Sequence, residues 1–172
     1  FVFPEMREYA HTPQLAIPQL IQDSDLKGVL HVHTTASDGA HTLRDMCTYA
    51  KSLGYEYIGI TDHSKSAFYA SGLKVEELEE QWNAIDELNK ELAPFKIFKG
   101  IESDILNDGR LDYEEEVLKQ FDFIIASVHS NLKMDEEKAT QRLITAIENR
   151  YTTILGHPTG RLLLSRKGYP IQ

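Results

Sequence analysis

From Lys27 onward, short apolar and β-branched runs alternate with amphipathic stretches. The runs lie at Gly28 to Val32, Tyr55 to Thr61, Lys96 to Ile101, Phe121 to Val128 and Tyr151 to Leu155, and each reads as a strand. Between them, Leu43, Met46, Cys47, Ala50 and Leu53 recur at helical spacing, and Gly54 fits the cap just past the helix end. Val75, Leu78, Trp82, Ile85, Leu88 and Leu92 mark a longer helix closed by Pro94. Ala139, Leu143, Ala146 and Ile147 mark another, with Asp135, Glu136 and Glu137 at its positive end. A short acidic helix is expected around Asp112 to Gln120. Strand–helix alternation of this kind predicts an α/β fold with a parallel sheet, doubly wound or barrel-like. Trp82, Tyr57 and Phe123 fall on core periods, Cys47 on an apolar stripe, and Glu114, Glu115 and Glu116 on a solvated face.

Residues 1–26 break the pattern. They carry Pro4, Pro13 and Pro18 with no clear period, which reads as an extended lead-in or linker ahead of a domain over 27–172. A chain opening on FVFPEMRE, without an initiator Met, is expected to be part of something longer. His11, within the lead-in, is expected to be solvated.

Composition narrows the function. The 172 residues suit one domain with a sizeable core. Eighteen Lys and Arg against 27 Asp and Glu give a net charge of −9, which excludes nucleic-acid binding by bulk charge and leaves a local basic patch or bound cations. The single cysteine excludes an internal disulfide and a cysteine-rich zinc module. No apolar run approaches the ~18 residues of a membrane span, so a soluble, cytoplasmic protein is the expectation.

The apolar runs end in residues able to bind metal. The first reaches His31 and His33, the second Asp62 and His63, the third Glu102 with Asp104 beyond it, the fourth His129 and the fifth His157. Parallel α/β folds build their sites at the carboxyl ends of strands. Five such windows of about three residues would catch roughly 0.6 of seven histidines by random scatter; five fall there. In a strand, residues i and i+2 share a face, so His31 and His33 can reach one ion. Imidazole and carboxylate suit zinc, manganese or iron, and Glu102 is the natural bridge between two ions. Asp38 lies in Ser-Asp-Gly, a pattern that also makes ordinary turns. Asp104 and Asp108 read as turn-forming or capping residues, with Asp104 near enough to support a ligand. Lys65 and Arg161 each read either as a phosphate clamp or as a solvent-facing loop charge. His41 reads as a helix-start residue. Ser64 and Ser130 lack a general base and are not read as nucleophiles.

The segments HVHTTASDG, ITDHS, GIESDIL, ASVHS and LGHPTGRLL, in that order, resemble the PHP (polymerase and histidinol phosphatase) superfamily from about Asp25 to Tyr169. FVFPEMRE, IESDILNDGRLDY and GHPTGRLLLSRKGY are most similar to the PHP domain at the carboxyl end of bacterial family-X DNA polymerases. The resemblance implies a distorted, seven-stranded, TIM-like β/α barrel with two to three divalent ions. One ion would take His31, His33 and Glu102; a second would share Glu102 and add His129 and His157; a third would use Asp38 and His63. Asp62 would orient a ligand from outside. The implied activity is 3′→5′ exonuclease or DNA-end processing by attack of metal-bound hydroxide on phosphorus, next to an upstream polymerase domain. The alternatives are a small-molecule phosphatase of histidinol-phosphate type and a non-catalytic structural module. Two departures accompany the likeness. Val29 stands where the family often has Asp, and no Asp-x-His pair follows Tyr169. About five of the seven βα units are therefore expected, with weakened catalysis unless a second copy supplies the rest.

Overall fold

The computed structural model describes residues 19–172, so His11 and the three lead-in prolines lie outside the described residues. Five parallel strands pair in chain order to form one sheet: β1 (Gly28–Val32), β2 (Tyr57–Ile60), β3 (Lys96–Asp104), β4 (Phe123–Ser127) and β5 (Ile154–Leu155). The sheet curls as part of a β/α barrel does. Four helices fill the crossovers: α1 (Leu43–Ser52), α2 (Val75–Leu92), α3 (Glu115–Leu118) and α4 (Glu136–Glu148).

The helices start where the sequence offers a cap. The Asp45 backbone N–H donates to the Thr42 hydroxyl at the head of α1, and the Lys138 N–H donates to Asp135 at the head of α4. Gly54, at φ 85°, turns the chain out of α1. The acidic helix shrinks to the single turn of α3, because only Leu118 buries an apolar side chain there.

Two apolar clusters cover the sheet. One joins Ile58, Ile60 and Ile97 to Cys47 and Ala50 of α1 and Ile85 and Leu88 of α2. The other joins Ile101, Ile124 and Ala126 to Trp82 of α2, Leu118 of α3, and Ala139, Leu143 and Ala146 of α4. All five residues of β4 are buried, as expected of a parallel strand covered on both faces. Fully burying each of these isoleucines contributes about 1.5–3 kcal/mol. The body of the sheet is therefore dry and fixed, and polar residues collect at the carboxyl ends of its strands.

Strand β3 is the main departure from expectation. It runs three residues past Ile101, and the register with β4 holds through Glu102↔Ile125, Ser103↔Ala126 and Asp104↔Ser127. Asp104 is a buried strand residue, which corrects its reading as a turn former. The apolar run stopped at Ile101, but backbone pairing with a fully buried neighbour carried the strand on through polar side chains. Asp108 does sit in a turn, where its carboxylate accepts the Arg110 N–H.

Candidate metal centre

Glu102 lies at the heart of the sheet's carboxyl edge, 1% exposed. Its neighbour is set by the backbone. The Glu102 N–H donates to Asp62 O and the Ser64 N–H donates to Glu102 O, so the chain leaving β2 stays paired with β3 and holds His63 beside Glu102. His129 and His157 follow β4 and β5 by two residues each, and His31 and His33 come from the end of β1.

Five imidazoles thereby reach one carboxylate. Around Oε1 stand His157 Nε2 at 2.8 Å, His31 Nε2 at 3.0 Å and His129 Nε2 at 3.2 Å. Around Oε2 stand His63 Nδ1 at 3.3 Å and His33 Nε2 at 3.4 Å. Asp38 closes the far side, with Oδ1 3.5 Å from His33 Nδ1 and Oδ2 3.6 Å from His63 Nε2. Behind His129, Asp104 Oδ1 lies 2.6 Å from Nδ1. Three sets bring their ligand atoms within 4.8 Å of one another: His31, His33 and Glu102; His33, Asp38 and His63; His63, Glu102 and His129. His157 joins none of the three, although it stands on the same Glu102 oxygen as His129.

The spacings test whether these residues fit a cation. Hydrogen bonds between nitrogen and oxygen span about 2.7–3.2 Å. Ligands about 2.1 Å from one ion, at tetrahedral or octahedral angles, lie ~3.0–3.4 Å apart. The gaps of 3.3–3.6 Å around His33, His63 and Asp38 are long for hydrogen bonds; those to Glu102 fall at the edge of a coordination shell and those to Asp38 just beyond it. His33 Nδ1 and His63 Nδ1 are buried and have no hydrogen-bond partner. Imidazole nitrogens left unpaired beside carboxylates are what a divalent cation requires.

The charges of the site push its residues in different directions. Burial pushes the Glu102 carboxyl up, but hydrogen bonds from His129, His157 and His31 outweigh it and hold the group well below the usual carboxylate range. Burial holds His63 below the ordinary imidazole value, against the pull of Glu102, which favours the neutral, ligating form. For His129 burial also acts downward, but hydrogen bonds to Asp104 and Glu102 win and raise it to about 9.

Asp62 is 0% exposed and belongs to none of these three sets. It accepts the Thr34 N–H and the Ser37 hydroxyl on Oδ1, and the Thr34 hydroxyl and the Gln81 amide on Oδ2. It thus ties the loop bearing His33 and Asp38 to α2. Gly39 completes that loop, since a Cβ there would stand 2.5 Å from the His33 carbonyl oxygen.

His31 and His33 meet Glu102 by a route that pleating alone does not provide. The β1–β2 register shifts between Val29 and Val32, and His31 has φ 66°. His157, at φ 24°, is also left-handed. Such backbone costs about 1–3 kcal/mol per residue and collects at functional sites. Lys65 places Nζ 5.3 Å from the Tyr113 ring centroid and would have to swing off that ring to reach a phosphate. Arg161 is exposed in the loop after His157. His41 is exposed immediately before α1. The buried Ser64 hydroxyl accepts the Asp104 N–H, consistent with a structural role.

Sequence reasoning undervalued Asp104 and missed Arg142. Arg142 is buried and donates to the carbonyls of Leu106, Ser130 and Ile105, which clamps the loops after β3 and β4 together. Its only sequence signal was a cation on the apolar stripe of α4.

A parallel β/α sheet whose strand ends converge histidines on a shared buried carboxylate defines a site able to hold divalent cations. The PHP domain family model matches residues 30–164, and the chain belongs to that family. It is 44% identical over 170 residues to the DNA polymerase/3′-5′ exonuclease PolX of Bacillus subtilis, covering 98% of this chain and 30% of that protein. A probable phosphatase of Caldanaerobacter subterraneus is 34% identical over 139 residues, covering 74% of this chain and 50% of the relative. A probable phosphatase of Shigella flexneri is 33% identical over 138 residues, covering 75% and 52%. The chain thus spans about a third to a half of the lengths of these relatives. Among the described residues no helix is long and apolar enough to cross a membrane.

Proposed function

We propose that this chain holds two to three divalent ions and hydrolyses phosphoesters, with the 3′ end of a DNA strand as substrate and a polymerase domain as its partner in a longer protein. In this reading residues 1–26 lead in from that domain and 27–172 form the PHP module. The observation that carries the reading is Glu102, whose two oxygens divide five imidazoles from four strand ends. The names of the relatives, an exonuclease and probable phosphatases, agree on phosphoester chemistry.

His31, His33 and Glu102 would hold one ion. Glu102 with His129 and His157 would hold a second, and Asp38 with His63 a third. When bound, zinc, manganese or iron would supply a water of lowered pKa and positive charge for the phosphoryl oxygens. The chain's own part is placement. Glu102 and Asp38 offset the charge of the ions, and the carboxylate of Asp104 fixes the ring of His129. Arg161, on the exposed loop beyond His157, would face the phosphate from outside.

The test incubates the Mn²⁺-loaded chain with a single-stranded oligonucleotide labelled at its 5′ end, and separately with an alkyl phosphate. Stepwise shortening that Glu102→Gln abolishes supports the reading. Release of phosphate from the alkyl ester alone would move the assignment to the small-molecule phosphatase, which the phosphatase relatives favour. Inertness toward both, with metal bound, would leave the structural module.

A further inference from the structure

The loop between β2 and α2 carries two adjacent exposed aromatics. Phe68 is 88% exposed and Tyr69 is 68% exposed, on a 3₁₀ turn spanning Phe68–Ala70. Tyr69 overhangs the metal centre. Its ring centroid lies 6.0 Å from that of His63 and 6.2 Å from that of His129, edge-on to both. Burial, and then the carboxylates of Asp104, Glu102 and Asp38, push its phenol up from its ordinary value.

The turn is anchored from beneath. Ala67 and Ala70 are buried, and the Ser66 N–H and hydroxyl both donate to Asp112. The Lys65 N–H donates to the Tyr113 hydroxyl, which in turn donates to Leu73 O. The Ala70 and Gly72 N–H groups both donate to Ala67 O, and Ser71 closes the turn at φ 54°. Its two small residues face the core and its two large ones face water. A loop needing only to connect β2 to α2 gains nothing from holding two large rings in solvent, one of them over a polar site.

We propose that Phe68 and Tyr69 form a stacking platform for the unpaired nucleobase at the 3′ end of a strand whose terminal phosphodiester lies over the metal centre. Nucleobases have π faces and stack on exposed aromatics regardless of sequence. The platform also answers the charge problem. A chain of net charge −9 draws little affinity for a strand from its overall field, so contacts to bases must supply what a basic surface would otherwise give. The inference rests on the phosphoesterase reading and deepens it by naming what distinguishes a strand end from a small phosphate ester.

The test is chosen to separate the two. An oligonucleotide with 2-aminopurine as its 3′-terminal base is titrated with the chain, with and without Mn²⁺, and its fluorescence is followed; hydrolysis of that oligonucleotide and of an alkyl phosphate is measured in parallel. Stacking quenches the base. The wild type is expected to quench it, Tyr69→Phe to keep most of the quench, and Phe68→Ala/Tyr69→Ala to weaken binding about 5- to 150-fold, the range for loss of one stacked base. Turnover of the alkyl phosphate should change less than about 3-fold in the double variant, below that stacking loss. Unchanged quench and affinity in the double variant would overturn the platform while leaving the phosphoesterase intact. So would a parallel loss of alkyl phosphate turnover with metal content unchanged, because the rings would then serve the metal chemistry and not the base. Quench that disappears in the double variant of a chain inert toward both esters would sustain the platform and sink the phosphoesterase reading. No quench by the wild type sinks the platform outright.

Discussion

Glu102 and Asp62 are both buried carboxylates at neighbouring strand ends, and they differ in what solvates them. Asp62 accepts four hydrogen bonds from neutral donors: one backbone N–H, two hydroxyls and an amide. None of these donors is an imidazole, so the group ties elements together. Glu102 is surrounded by imidazoles, whose nitrogens can donate, accept or bind metal. Burial costs both groups alike. The identity of the donors, and not the depth, separates a carboxylate that shapes a site from one that is the site.

The sharpest way to break the comparison is Glu102→Gln. It keeps size and removes the charge shared by the ions. Phosphoesterase turnover should fall by about 10²–10³-fold, the loss expected when one preorganised electrostatic group is removed. Elemental analysis should show fewer ions per chain, and the rise in Tm that bound metal gives the wild type should shrink. Full metal content in Glu102→Gln would make Glu102 a second Asp62, and the contrast would be void.

Asp62→Ala comes next. It leaves Thr34, Ser37 and Gln81 donors buried without an acceptor, a loss of about 2–4 kcal/mol in urea unfolding without metal. Metal affinity should fall about 10- to 100-fold, because the loop carrying His33 and Asp38 is released. Asp62→Asn, which keeps one oxygen, should fall between. Here stability and metal binding decline together, whereas for Glu102→Gln the metal-binding loss should dominate. Equal stability losses for Glu102→Gln and Asp62→Ala would erase the distinction.

The same contrast explains how much was legible in the sequence. The clustering of His31, His33, His63, Glu102, His129 and His157 was legible because each ends an apolar run, and parallel strands deliver run ends to one edge. Gly28–Val32 was read to the residue from its apolar run, and Val75–Leu92 from its helical periodicity and Pro94. Asp104 was misread because its strand continues by backbone pairing, which leaves no mark in side-chain polarity. The bulge at His31 was invisible for the same reason: left-handed backbone at a non-glycine residue is imposed by tertiary contacts. Asp62 was legible only as an outer orienting residue; its three partner residues lie between 19 and 28 residues away.

Asp104→Asn probes a carboxylate intermediate between the two. Asp104 is buried like both and stands 2.6 Å from His129 Nδ1, so it shapes the site by way of a ligand. Asparagine keeps an acceptor for the ring but loses the charge that raises the basicity of His129. Metal affinity should fall about 10-fold, the low end for a partner of a ligating histidine, in competition titrations with a chelator. A loss as large as that of Glu102→Gln would place Asp104 among the ligands.

Gln81→Leu should do least, and it decides which donors make Asp62 a positioning group. The Gln81 amide gives Asp62 one hydrogen bond of 2.7 Å, while its own Oε1 is buried without a partner. Leucine removes a bond and an unsatisfied acceptor together, so the two changes largely offset and stability should move by no more than about 1 kcal/mol. Asp62 retains Thr34 and Ser37, which come from the loop that carries His33 and Asp38. Metal stoichiometry should therefore be that of the wild type, with affinity within about 3-fold, well short of the 10- to 100-fold loss for a required outer partner. If Gln81→Leu instead lost metal as Asp62→Ala does, the anchor on α2 would be what holds the loop. Asp62 would then act as a relay from helix to ligand, and its fixed hydroxyl and backbone donors would be insufficient to keep His33 and Asp38 in place.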